Sequence, residues 1–337
     1  NVSVNRVINN FIKSIISPKS KLKYYSVLFL MIALAIFGIK NIRVDNYLTD
    51  EVNKSSSLYQ EMSFFNDNFG GIKPITFKTE IDSNTQISQL IDFEYFLQEK
   101  QVSLDFSLSR LVENPQLVTK SLLRKITKEA YKIQSRMNDI GSKKSFAIFQ
   151  EIKEKAEKLG LSLKIGGAGY LFDQVSNKLT LEILYGLMIA ILTIGILFVL
   201  INKFNLNYFF VALIPNVFPI IVSIGVLCFS DFYFSLSNAF IFAIVFGLIV
   251  DDSIHILSSY RFNVIKGMSK EKAISASLNI TARAVIKTTI VVIVTLLPLL
   301  LSEFKSVSQL GVITIISAII AIIFDLLFLP DLIKRYL

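Results

Sequence analysis

Residues 235–262 read SLSNAFIFAIVFGLIVDDSIHILSSYRF, one long apolar run interrupted by two adjacent carboxylates, Asp251 and Asp252. If the apolar stretch ended before Asp251, the 15 residues from Leu236 to Val250 would rise only about 22 Å, short of a hydrocarbon core of roughly 30 Å. Both acids therefore have to lie within a membrane, towards one side of it. Carboxylates at such depth cost on the order of 2.5 to 3.5 kcal/mol each, and they usually face a helix-bundle interior or a water-filled path.

The rest of the chain fits that reading. Of its 337 residues 53% are hydrophobic and 18% charged, and nearly charge-free runs recur at Tyr24 to Ile39, Ile183 to Ile201, Tyr208 to Phe229, Ala284 to Leu301 and Leu310 to Phe324. The pattern predicts a polytopic α-helical membrane protein with six transmembrane helices and an α/β domain inserted between the first and the second. The expected segments are an interfacial helix within residues 1–23, a first span at 24–39, an insert at 40–178, a five-helix bundle at 179–331 and a tail at 332–337. The five later spans are placed at about 180–201, 207–229, 235–258, 283–302 and 307–330. The N-terminal segment sets Val7, Ile8, Phe11, Ile12, Ile15 and Ile16 on one helical face, as a helix lying on the membrane would.

Charge sets the orientation. Of the 15 lysines and arginines outside the insert, 14 fall on the side of the chain's two ends and only Lys305 on the other, so both ends are expected in the cytoplasm and the insert outside it. The stretch Arg261 to Arg283 then reads as an amphipathic connecting helix. Within the insert, helices are predicted at Ser57 to Asn68, Ile87 to Lys100, Pro115 to Lys125 and Lys143 to Leu159. Strands are predicted at Ile75 to Ile81, Tyr131 to Met137 and Leu161 to Ile165, with Gly160 stopping the last helix. This alternation favours one sheet covered on one face. The insert carries 20 basic and 18 acidic residues, so no nucleic-acid surface is expected.

Composition removes several chemistries. A single cysteine, Cys228, gives no disulfide framework and no thiolate metal site, and a single histidine, His255, excludes any site needing two imidazoles. No catalytic residue, metal ligand or cofactor is expected, and the protein is not read as an enzyme. What remains is ion chemistry. Desolvation and a like charge alongside both favour protonation of one member of a carboxylate pair, the property a proton relay needs. Gly247, four residues before Asp251, is a candidate for close approach by another helix, and His255, four after it, is a relay partner or a packing residue. Pro215 and Pro219, with Asn216 between them, mark a helix break. Asp325 reads as an interhelical hydrogen-bond partner, and residues 166–169, GGAG, read as a hinge.

These motifs carry a resemblance. GLIVDDSIH (247–255) resembles the GxxxDD-type motif of the resistance-nodulation-cell division (RND) superfamily. IPNVFP (214–219), residues 281–311 and FDLLFLPDL (324–332) are similar to the same superfamily's later spans. NYLTDEV (46–52), FNDNFGGIKP (65–74) and IGGAGYLFD (165–173) resemble the porter region of its MMPL-like, hydrophobe-exporter branch. The resemblance implies ion-gradient-driven export of hydrophobic or lipid-like substrates, by proton antiport or with Na+ in place of H+, from a bacterial inner membrane. Asp251 and Asp252 then take the relay position, with Gly247 as the helix-contact glycine. Relatives have two such halves whose motif helices face each other, so the expected partners are the lipid bilayer, the substrate and an N-terminal half with its own six-helix repeat. A second copy in a homo-oligomer is a further candidate partner. A SecDF-like protein-translocation accessory and a non-transporting lipid or sterol sensor are the alternative readings. An intramembrane aspartyl protease built on Asp251 and Asp325 lacks the Gly-x-Gly-Asp signature.

Overall fold

The computed structural model describes residues 21–80, 87–108, 130–230 and 233–337. The interfacial helix expected at residues 5–16 and the helix expected at 115–125 lie outside them. The described residues divide into two compact units: Asp45–Thr180 with Glu303–Lys305, and the remainder.

The first unit is an α/β domain. Its elements are α2 (Ser57–Asn68), β2 (Lys73–Glu80), α3 (Ile87–Glu99), β3 (Val102–Leu104), β4 (Ala130–Met137), α4 (Ser142–Lys158) and β5 (Leu163–Gly166), followed by the start of a long helix at Ala168. Four strands pair antiparallel in the order β3-β4-β2-β5. In β2, Lys73, Ile75, Phe77 and Thr79 are buried while the residues between them face outward, the period-2 alternation of a sheet covered on one side. The covering layer is α3 and α4. Leu90, Phe93 and Leu97 of α3 and Phe149, Ile152 and Ala156 of α4 close over Ile75, Phe77, Tyr131, Ile133 and Met137. Phe77 meets Phe93 edge to face at 6.2 Å. Gly160 follows α4 at φ +72, the left-handed conformation that ends a helix without a Cβ penalty. Within residues 166–169, Gly167 and Gly169 lie close against β2: a Cβ on Gly167, at φ +101, would stand 2.7 Å from the Pro74 carbonyl oxygen and one on Gly169 2.7 Å from the Lys73 Cβ, while Gly166 faces open space.

A polar knot sits inside this core. Glu94 is fully buried and accepts from Ser107 Oγ at 2.7 Å, from the Leu108 N–H at 2.9 Å and from the Tyr131 hydroxyl. Burial, reinforced by the Glu94 carboxylate, holds the Tyr131 hydroxyl well above its ordinary value. Because the folded value is the raised one, this stabilisation is intact below the unfolded tyrosine value of about 10 and is lost as pH rises beyond it. Tyr131→Phe should therefore flatten the alkaline limb of the stability curve. Circular dichroism of alkaline unfolding would show it, and coincident midpoints for wild type and variant would contradict it.

The second unit is helical. It comprises α1 (Lys21–Asn41), β1 (Arg43–Val44), the remainder of α5 (Ala168–Ile201), α6 (Asn207–Leu227), β6 (Tyr233–Phe234), α7 (Leu236–Ile265), α8 (Lys270–Leu296), α9 (Lys305–Ile323) and α10 (Leu329–Tyr336). Among the described residues, five helical segments are long and apolar enough to cross a membrane: Ala168–Ile201, Asn207–Leu227, Leu236–Ile265, Lys270–Leu301 and Lys305–Tyr336. The apolar part of α1 is shorter, Phe29–Gly38. Arg261 to Arg283 does not form one connecting helix. The chain finishes α7, turns at Lys266–Ser269 and starts α8, which continues unbroken into the apolar span.

Helix α1 packs on α6 through glycine. A Cβ on Gly225 would lie 1.9 Å from the Leu34 carbonyl oxygen, and one on Gly38 would lie 2.6 Å from the Gly225 nitrogen. The two backbones touch, as small residues allow between membrane helices. Helix α6 runs continuously from Asn207 to Leu227 through Pro215 and Pro219, so the expected break at Pro215, Asn216 and Pro219 does not occur. The Asn216 amide donates to the Ala212 carbonyl at 2.6 Å and Ser223 Oγ donates to the Pro219 carbonyl at 2.6 Å, while neighbouring helices enclose the segment. Such side-chain bonds and packing let a membrane helix carry proline without ending.

Candidate functional site

Helix α7 begins at Ser235, whose hydroxyl accepts from the Asn238 N–H in the usual N-cap manner. The periodicity that follows divides it into two faces. Phe242, Val245, Phe246, Ile249, Ser253 and Ile256 are buried against neighbouring helices. Phe240, Ile244, Gly247, Leu248, Asp251, His255 and Phe262 stand exposed along the other face.

The two acids are therefore not equivalent. Asp251 is on the exposed face, its side chain 71% accessible, and His255 Nε2 lies 3.4 Å from its Oδ1. The pairing is the i, i+4 geometry expected on a helix, and it makes His255 an exposed neighbour of Asp251 and no core packing residue of this chain. Asp252, about 100° further round, is half-buried. Ser253 is fully buried, and its hydroxyl donates to Asp325 Oδ1 at 2.5 Å. Asp325 is fully buried too, and its Oδ2 has no hydrogen-bond partner. It lies in a π-helical stretch, Phe324–Phe328, inserted between α9 and α10. From the exposed face inward, burial rises in the order Asp251, Asp252, Asp325.

A Cβ placed on Gly247 meets nothing within 4 Å, so among the described residues no helix approaches it closely and its face of α7 is open. Asp325 is the interhelical hydrogen-bond partner that the sequence indicated. Ser253 was not singled out from sequence, although its position two residues after Asp251 puts it on the buried face. Among the described residues no group of three or more His, Cys, Asp or Glu side chains converges so as to hold a metal ion.

A second charged cluster in the α/β unit had no sequence signal at all. Lys73, fully buried, places Nζ 2.7 Å from Asp139 Oδ1 and 2.8 Å from Asp173 Oδ1. Asp139 Oδ2 accepts from the Thr49 N–H at 2.8 Å and from its hydroxyl at 2.9 Å. Buried ions arranged this way hold an architecture together, since removing one strands the others.

No curated protein matches the chain. A family model does: the MMPL family matches residues 113–334, about two thirds of the sequence and every part of α7. With five helices able to cross a membrane and a carboxylate pair placed within one of them, the chain belongs to the MMPL family, a group of multi-pass membrane transporters within the RND superfamily.

Proposed function

We propose that this chain forms one half of an ion-gradient-driven exporter of hydrophobic or lipid-like molecules, with Asp251 and Asp252 as its coupling carboxylates and the proton as the coupling ion. The observation that carries this reading is the exposed face of α7, where Asp251 and His255 stand among Phe240, Ile244 and Leu248. A charged group on the outside of an apolar helix is expensive against lipid and is stable against a second helix or a water-filled path. A matching half with its own six helices supplies such a surface, and Gly247, open on the same face, leaves room for its approach.

The α1 helix serves as the sixth span of this half. Its 21 residues rise about 31 Å, the thickness of the core, and its glycine contact with α6 holds it in the bundle. The α/β unit is then the extracytoplasmic porter domain, consistent with the charge asymmetry of the loops, in a bacterial inner membrane with both ends of this segment in the cytoplasm. A cavity of about 570 Å³ in that unit sets Leu58, Met62, Phe65 and Ile72 beside Glu61, Asp105 and Arg136, a mixed lining that suits an amphipathic, lipid-like cargo.

Vesicles containing the full-length protein test the reading. Export of a fluorescent lipid analogue should follow an imposed proton gradient and stop when an ionophore collapses it. Export that persists without any ion gradient would overturn the coupling, and lipid binding without flux would favour a sensor.

A further inference from the structure

We infer that Asp325, held by Ser253, is an intramembrane proton-binding residue of this half and exchanges its proton with Asp252. The inference rests on the transport reading above and adds a residue outside the α7 motif. Asp325 has no exposed surface, one of its oxygens has no partner, and among the described residues no lysine, arginine or histidine pairs with it. A carboxylate in that state forfeits its hydration and recovers a single hydrogen bond, so the group is held neutral by a proton. The neutral form fits the contacts: the 2.5 Å bond to Ser253 reverses, Asp325 donating and the serine oxygen accepting. Ser253 is then free to donate within its own helix, as serine does in membrane helices. The remaining oxygen becomes a carbonyl, for which the lack of a donor costs far less than for an anion.

Among the described residues, the side chains packed around this stretch from α1, α6 and α8 are apolar. Helix α1 presents Met31 and Ala35 to this stretch, α6 presents Phe218, and α8 presents Ala282 and Ile286. Helix α7 presents Ser253, which bonds Asp325, and carries the half-buried Asp252 next to it in sequence. In the transfer, the O–H bond on one carboxyl breaks as that on the other forms, and Asp251 on the exposed face hands protons to Asp252. The π-helical turn at Phe324–Phe328 suits the step. Such single wide turns insert a residue into a helix and recur at functional sites, and here the turn carries Asp325 itself.

The test uses the full-length protein in lipid and reads protonation separately from transport. At neutral pH the infrared carboxylic-acid carbonyl band should contain a component that Asp325→Asn removes and that Asp251→Asn leaves in place. Ser253→Ala should shift that component, which keeps the question open to measurement if the Asp325 variant fails to insert. A band unchanged by both Asp325→Asn and Ser253→Ala would overturn the inference. In vesicles, Asp325→Asn should lose gradient-driven proton uptake and Asp325→Glu should keep part of it. Undiminished uptake in Asp325→Asn, alongside loss in Asp252→Asn, would end this inference and leave the transport reading standing. Absence of uptake in the wild type would end the transport reading, and the infrared band alone would then decide whether Asp325 holds a proton.

Discussion

Asp252→Asn in the full-length protein is expected to reduce gradient-dependent export to background while the protein remains folded in the membrane. The side chain keeps its shape and loses its charge change. An amide neither binds nor releases a proton near neutral pH, so the half-buried side chain at this position can no longer carry one. Each charge crossing the field is worth about 2.3 kcal/mol per 100 mV, and without that input an alternating-access cycle has no bias. Because Asp252 is half-buried in an apolar helix, removing its charge also removes a desolvation cost, so thermal stability in detergent should hold or rise. Asp251→Asn is expected to act in the same direction. Export rates that match wild type in both variants would sink the relay.

The second large effect belongs to the α/β unit. Lys73→Met should destabilise it by about 3 to 5 kcal/mol, because it leaves Asp139 and Asp173 buried without their cation. That is a large share of the roughly 5 to 15 kcal/mol that holds a domain together. Amides of β2 and β4, protected in the wild type, should exchange with solvent much faster in the variant. Adding Asp173→Asn to Lys73→Met should recover part of the protection, since one stranded charge is removed with its partner. Unaltered exchange in Lys73→Met would show that the cluster carries no such load.

Local patterns account for what was legible in advance. The pattern at Ser57 to Asn68 predicts helix α2, and in the structure Ser56 caps it by accepting from the Tyr59 N–H. Strand β2 announced itself by the alternation of Ile75, Phe77 and Thr79, and Gly160 marked the end of α4. The Asp251 and Asp252 pair was visible because charge inside an apolar run has few explanations. Longer-range features left no such trace. Lys73, read alone, is an ordinary lysine before a proline, and its partners lie 66 and 100 residues further on. Gly225 in an apolar run says nothing about which helix it will meet. Helix α5 began twelve residues before its expected start at 180, because Ala168 to Leu179 is too polar for hydropathy to mark, though it is helical. The connecting helix expected at Arg261 to Arg283 failed because Gly267 and Ser269 form a stop and a start within it. Gly267 takes φ +83 and Ser269 the N-cap position.

The backbone contact between Gly38 and Gly225 also bears on how the protein is made. The ribosome delivers Gly225 187 residues after Gly38, which at roughly 5 to 20 residues per second is a delay of about 10 to 40 s. For that interval α1 has no α6 to close against, and the whole α/β unit is synthesised in the meantime. Helix α1 therefore reaches its final seat late, and the helical unit completes itself by a returning helix that locks onto one already waiting.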